Sequence, residues 1–119
     1  MNKIKFYKEK ETGKTTFTNK NLSSDKYIEL KPNTKEASLE KHIPIYEKKD
    51  NKLIVTVGSV NHPMTEEHYI MWIALVKDDH ITIKELSPNI LPQVEFDYIN
   101  NSEIYIYCNL HGLWKTNVE

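Results

Sequence analysis

The chain has 119 residues, enough for one ordinary domain with a real core, and its 39% apolar and 28% charged residues read as soluble and globular. Sixteen basic residues against seventeen acidic ones leave a formal charge of −1, which excludes the basic stripe of a nucleic-acid binder. No apolar run approaches the ~20 residues of a membrane span, and residues 1–10 lack the apolar stretch of a signal peptide. No nucleic acid, no membrane and a cytoplasmic location are therefore the expectations.

The first forty residues stand apart. Residues 3–20 alternate charged and apolar side chains (Ile4, Phe6, Phe17) in the manner of an exposed hairpin turning at Gly13. Residues 19–24 form a polar turn, and 32–39 read as a linker. Strand signals dominate from there. Leu53 to Val57 is β-branched and follows a turn at Lys49-Asp50-Asn51. His68 to Val76 is apolar nearly throughout, which suits a central strand or a buried helix. Its β-branched and aromatic content, and the turn Lys77-Asp78-Asp79 after it, favour the strand. Ile81–Ile83, Val94–Tyr98, Ile104–Tyr107 and Leu113–Val118 complete the series, with Asn100-Asn101-Ser102 as a hairpin loop. Prolines mark loops at Pro44, Pro63, Pro88 and Pro92. Short strands at regular spacing predict an all-β, antiparallel sandwich with a small N-terminal hairpin appendage.

Five histidines and one cysteine carry the chemical information. A lone cysteine excludes an internal disulfide and suits a reducing compartment. His62 precedes a proline in the loop after Val57, and His68 follows six residues later. Cys108 and His111 flank a tight exit from a strand, with Gly112 permitting an unusual backbone turn; His42 lies just before Pro44. His80, beside Asp78-Asp79, reads as a solvated surface residue. Four imidazoles and a thiolate exceed the four ligands of structural zinc. The methionine that blue copper wants near its Cys–His pair is missing, since no Met follows Met71. Imidazole also suits iron, and a thiolate adds electron donation.

Three blocks give these residues a context. Glu40-Lys41-His42-Ile43-Pro44, the run from Val57 through Asn61-His62-Pro63-Met64-Thr65-Glu66-Glu67-His68 to Ile70, and Cys108-Asn109-Leu110-His111-Gly112-Leu113-Trp114 resemble the signatures of the superoxide reductases, the neelaredoxin and desulfoferrodoxin family. The resemblance runs from about Ala37 to the C-terminus. It implies an immunoglobulin-like sandwich, and a mononuclear non-haem iron with His42, His62, His68 and His111 as equatorial ligands and Cys108 as the axial one. It also implies one-electron reduction of superoxide to hydrogen peroxide, with Lys41 near the open face and Glu40 able to close it in the oxidised state. A rubredoxin-like protein would be the electron donor.

The start departs from part of that family. Two-iron members begin with a small desulforedoxin-like domain holding iron on four cysteines, in a Tyr-Lys-Cys-x-x-Cys-Gly pattern. Here Tyr7, Lys8 and Gly13 remain, but Glu9 and Thr12 stand where the thiols would be, and Ser23-Ser24 where the later pair would fall. Residues 1–36 thus read as a metal-free relic and linker, and 37–119 as the iron domain. A small hairpin is marginal alone, so it packs on the sandwich or on a second subunit, which makes a homodimer one expectation. Glu66 and Glu67 read as surface charges, and Trp72 and Trp114 as core. Two rival classes use the same residues: a pure electron carrier, and a structural sandwich holding zinc.

Overall fold

The computed structural model describes residues 3–34, 39–58 and 62–119. The boundary expected between residues 36 and 37 lies outside them. Among the described residues ten strands form three antiparallel sheets. Lys5–Glu9 (β1), Thr15–Thr18 (β2) and Tyr27–Leu30 (β3) make the first, in the order β2-β1-β3. Pro44–Lys49 (β4), Lys52–Val57 (β5) and Gln93–Asp97 (β8) make the second, in the order β4-β5-β8. Ile70–Lys77 (β6), His80–Glu85 (β7), Glu103–Cys108 (β9) and Gly112–Asn117 (β10) make the third, in the order β10-β9-β6-β7. One helical turn, Leu39–His42 (α1), precedes β4. No helix among the described residues is long and apolar enough to cross a membrane.

The four-stranded sheet is the middle layer, and this explains why β6 is apolar on both faces. Alternate residues of a strand point to opposite faces. Ile73 and Leu75 of β6, with Ile104, Ile106 and Cys108 of β9, face the β4-β5-β8 sheet and pack against Leu53, Val55, Val57 and Phe96. Trp72, Ala74 and Val76, with Tyr105 and Tyr107, face the other way and pack under Phe6. A strand covered on both sides loses the polar half of its alternation. The pairing of β6 with β9 slips between Ile70 and Trp72. This bulge lets Ile70 join the inner core while both Met71 and Trp72 lie on the outer side.

The expected hairpin is present as β1 and β2, turning at Gly13 with φ of 73°. One feature was not anticipated: a third strand, β3, joins β1 on its other edge. The sheet packs on the sandwich, one of the two expected placements. Phe6 stacks on Trp72 at 5.1 Å and tilts against Tyr105 at 4.8 Å. The Trp72 indole N–H donates to Thr15 Oγ1 at 3.0 Å. Asn33 extends the join to β10, donating its N–H to Leu113 O and accepting from the Lys115 N–H with its side chain. Pro44 is not a loop residue but opens β4, an edge position where a missing N–H is tolerated.

The N-terminal sheet should therefore contribute to the stability of the whole. Phe6→Ala is expected to lower the unfolding free energy by about 3 kcal/mol, the usual loss for a buried phenylalanine. Urea denaturation followed by tryptophan fluorescence reads it; a loss below about 1 kcal/mol, the range of ordinary surface changes, would mean the sheet is a passive appendage.

Candidate metal centre

Every candidate ligand lies at one end of the sandwich. Cys108 is the last residue of β9 and pairs with both Ile70 and Gly112. Asn109, Leu110 and His111 form a three-residue hairpin loop, closed by Gly112 at φ 83°. A left-handed residue after such a loop is the usual bulge position, where glycine meets no Cβ penalty. This turn brings His111 back over Cys108, with Nδ1 4.0 Å from Sγ.

His62 and His68 are set by the loop between β5 and β6. Thr65 and His68 exchange both backbone hydrogen bonds, at 3.0 and 3.2 Å, so Glu66 and Glu67 form the exposed tip of a two-residue turn. His68 therefore precedes β6 by two residues rather than opening it. Residues 59–61 of the same motif lie outside the described residues. His42 ends the helical turn α1, and Pro44 then enters β4, where its carbonyl accepts from Thr116 Oγ1 of β10 at 2.6 Å.

The four rings make a square. Neighbouring centroids stand 4.7 Å apart for His42–His62, 4.7 Å for His62–His68, 4.9 Å for His68–His111 and 4.8 Å for His111–His42, all edge to face at 77–87°. The diagonal from His42 to His68 is 6.4 Å with near-parallel rings. His42 Nε2 lies 3.1 Å from His62 Nε2 and 3.1 Å from His111 Nδ1. The donor atoms of His42, His62, His68 and Cys108 all fall within 4.8 Å of one another. Two nitrogens bound at right angles to one first-row metal, with bonds of about 2.1 Å, stand about 3 Å apart. The spacing fits such an ion.

The hydrogen bonding agrees. His62 Nδ1–H donates to the Pro63 carbonyl at 2.6 Å, which leaves the lone pair of a neutral ring on Nε2, facing the square. His68 Nε2 is buried and has no hydrogen-bond partner among the described residues, the state expected of an atom that serves as a ligand. Burial pushes the His62 imidazolium down to about 4, and the other three rings push the same way while the Pro63 carbonyl opposes. His68 is also lowered, first by burial, then by His111 and by the Lys41 ammonium. Burial pushes the Cys108 thiol up, against the backbone N–H groups of Leu110 and His111, which favour the thiolate. His62 and His68 are thus held in the neutral form that can ligate a metal.

The two faces of the square differ. Cys108 is fully buried among core residues, whereas His68 and His111 are partly exposed and Lys41 is exposed. Lys41 acts on His68 electrostatically, which puts its charge near the solvent side. The side chain of Glu40 lies outside the described residues. His80 sits at the far end of β6 with its side chain 88% exposed, a surface residue as expected.

Two further residues support the ligands, Trp114, which the sequence allowed either beneath the site or simply in the core, and Asn109. Trp114 is buried, stacks on His42 at 5.0 Å and donates its indole N–H to the His111 carbonyl at 3.1 Å. Asn109 accepts from the Tyr69 N–H and donates to the Glu67 carbonyl, both at 3.0 Å. The signal for Asn109 was its place between Cys108 and His111.

Comparison with known proteins follows the same lines. The family model for desulfoferrodoxin matches residues 33–117. A desulfoferrodoxin of Clostridium acetobutylicum is 41% identical over 101 residues, covering 85% of this chain and 81% of its own. The crystal structure of the superoxide reductase from Treponema pallidum superposes with a TM-score of 0.69 at 40% identity, over 80% of this chain and 81% of that one. A one-iron superoxide reductase from Giardia intestinalis does so at 0.59 and 29% identity, over 67% of this chain and 98% of that one. Sequence, fold and the grouping of imidazoles with a thiol agree, and the chain belongs to the desulfoferrodoxin family.

Proposed function

We propose that the chain is a superoxide reductase, with one iron held by His42, His62, His68 and His111 in a plane and by Cys108 from beneath. The observation that carries this reading is the square of four rings closed over one buried sulfur. A bound ferrous ion would supply the electron that turns superoxide, with two protons, into hydrogen peroxide, and an external one-electron donor would restore it.

The chain's own residues do the rest. His42 and His62, buried at 2% and 4% exposure, fix two corners of the plane. The Leu110 and His111 amides stabilise negative charge on the Cys108 sulfur, on the side away from solvent. Lys41 supplies a local positive charge in a protein whose net charge is −1, so it draws an anion to the accessible face. Glu40, beside it in sequence, fits the role of a carboxylate that closes that face in the oxidised state.

The same reading covers the partners. A small rubredoxin-like protein is the proposed donor, and the cytoplasm the proposed compartment, where a lone thiol stays reduced. The match to the Clostridium acetobutylicum protein spans 101 of 119 residues, so it starts at or before Asn19, inside the N-terminal sheet. This supports reading the sheet as a desulforedoxin-like relic without its metal. Exposed Phe17 and Ile28 on its two outer strands suit a homodimer.

Metal analysis should find one iron per chain rather than two. The oxidised protein should show a thiolate-to-iron absorption band that disappears in Cys108→Ser; a colourless zinc protein would overturn the reading. Pulsed superoxide should oxidise the ferrous protein rapidly with release of peroxide, whereas a mere electron carrier would give no peroxide. Lys41→Ile should slow that step by about tenfold at low salt, the lower end of electrostatic steering effects.

Acidification tests the neutral donor set. The folded His62 value, about 4, lies below the ordinary 6.5, so between the two the unfolded chain binds more protons. Stability of the metal-free protein should therefore rise with pH from about 4 to 6.5 and fall on acidification through that window. Urea midpoints across the range measure it, and His62→Gln should flatten the slope.

A further inference from the structure

We infer that Asn109 is the positioning residue for His68, locking the ring to the hairpin that carries Cys108; the inference rests on the metal site proposed above. His68 is, with His111, one of the two ligands that burial does not anchor. It lies before β6 begins, in a short turn with an exposed tip, and the residue is partly exposed. Burial alone does not hold it, in contrast to His42 and His62.

Three hydrogen bonds from one residue grip both flanks of His68. The Asn109 side-chain oxygen accepts from the Tyr69 N–H at 3.0 Å, its amide donates to the Glu67 carbonyl at 3.0 Å, and its backbone N–H donates to the Tyr69 carbonyl at 3.2 Å. An asparagine is suited to this because one short planar group offers an acceptor and a donor together. Aspartate lacks the donor.

The register gives the clamp its meaning. Asn109 directly follows Cys108, whose backbone pairs with Ile70, two residues after His68. Sulfur and imidazole thus move as one unit, and the distance between the axial and one equatorial donor is set before a metal arrives. Ring Nε2 lies at the far end of its side chain, so a small shift at residues 67–69 is magnified there. Partners of this kind typically change metal affinity by tenfold to a hundredfold when removed.

The test follows iron loss from the reconstituted full chain to an excess of chelator. Asn109→Ala should speed release about tenfold or more, approaching His68→Ala, while the thiolate-to-iron band persists at a shifted position because Cys108 remains. Asn33→Ala is the matched control. It removes side-chain bonds of the same kind, to the backbone of Lys115 in β10 away from the square, and should leave release and band unchanged. Asn109→Asp keeps the acceptor for Tyr69 and should fall between wild type and Asn109→Ala; it carries the test alone if the alanine variant does not fold.

If Asn109→Ala and Asn109→Asp release iron at the wild-type rate, or if Asn33→Ala moves the band as much as they do, the positioning role is wrong. If His68→Ala itself changes nothing, the fault lies instead with the ligand set of the proposed function.

Discussion

Imidazoles whose centroids stand less than 5 Å from their neighbours disfavour charge on one another. Burial comes first for His62 and for His68, the neighbouring charges add to it, and both rings are held toward the neutral form. The Pro63 carbonyl, which alone favours the charged ring, takes the His62 Nδ1–H and so leaves the lone pair of the neutral ring on the inner nitrogen. A cation at the centre would reverse the balance, since it attracts every lone pair that the rings direct at one another. Structure and metal affinity are then two sides of one arrangement: the protein tolerates the crowding of neutral donors because the same crowding is what an ion needs.

Such crowding requires a rigid floor, and β10 supplies much of it. Trp114 stacks on His42 and holds the His111 carbonyl, while Thr116 bonds the Pro44 carbonyl two residues beyond His42. At its outer edge, away from the square, β10 also bonds Asn33, at the end of the N-terminal segment. The N-terminal sheet covers Trp72, Tyr105 and Tyr107, aromatic surface that would otherwise face water. A segment that carries no cysteine thus has a physical task. It closes the third layer.

How much of this was legible depended on where the physics was local. The pairing of Cys108 with His111 is written in a five-residue hairpin whose Gly112 must take a positive φ. His62 was readable as a loop residue and His68 as a strand end beyond a turn, two residues earlier than β6 in fact begins, and the strands from Leu53 onward declared themselves by β-branched runs. What stayed hidden was set by distant partners. β6 was readable as a strand from its β-branched and aromatic content, but the reason for its apolar outer face, the N-terminal sheet that covers it, was not. β3 has only Tyr27, Ile28 and Leu30 to mark it and forms because β1 offers an edge. Pro44 reads as a loop signal, yet an edge strand has no use for its missing N–H. Asn109 looked like a spacer because its partners, Glu67 and Tyr69, lie some forty residues away.

The square is consequently held in two ways. His42 and His62 belong to the interior, and packing immobilises them: the first lies against Trp114, and the second is backed by the Pro63 carbonyl. His68 and His111 stand nearer the solvent and are held through their backbones, by Asn109 and by the Trp114 indole. A site that must admit a small anion cannot bury all its donors, and the corners it leaves accessible lose the anchoring that burial provides. Directional hydrogen bonds restore it without closing the face. That division explains why the residues supporting the exposed corners, Asn109 and Trp114, come from the same hairpin as the sulfur: one rigid element sets the sulfur and both of the more exposed imidazoles.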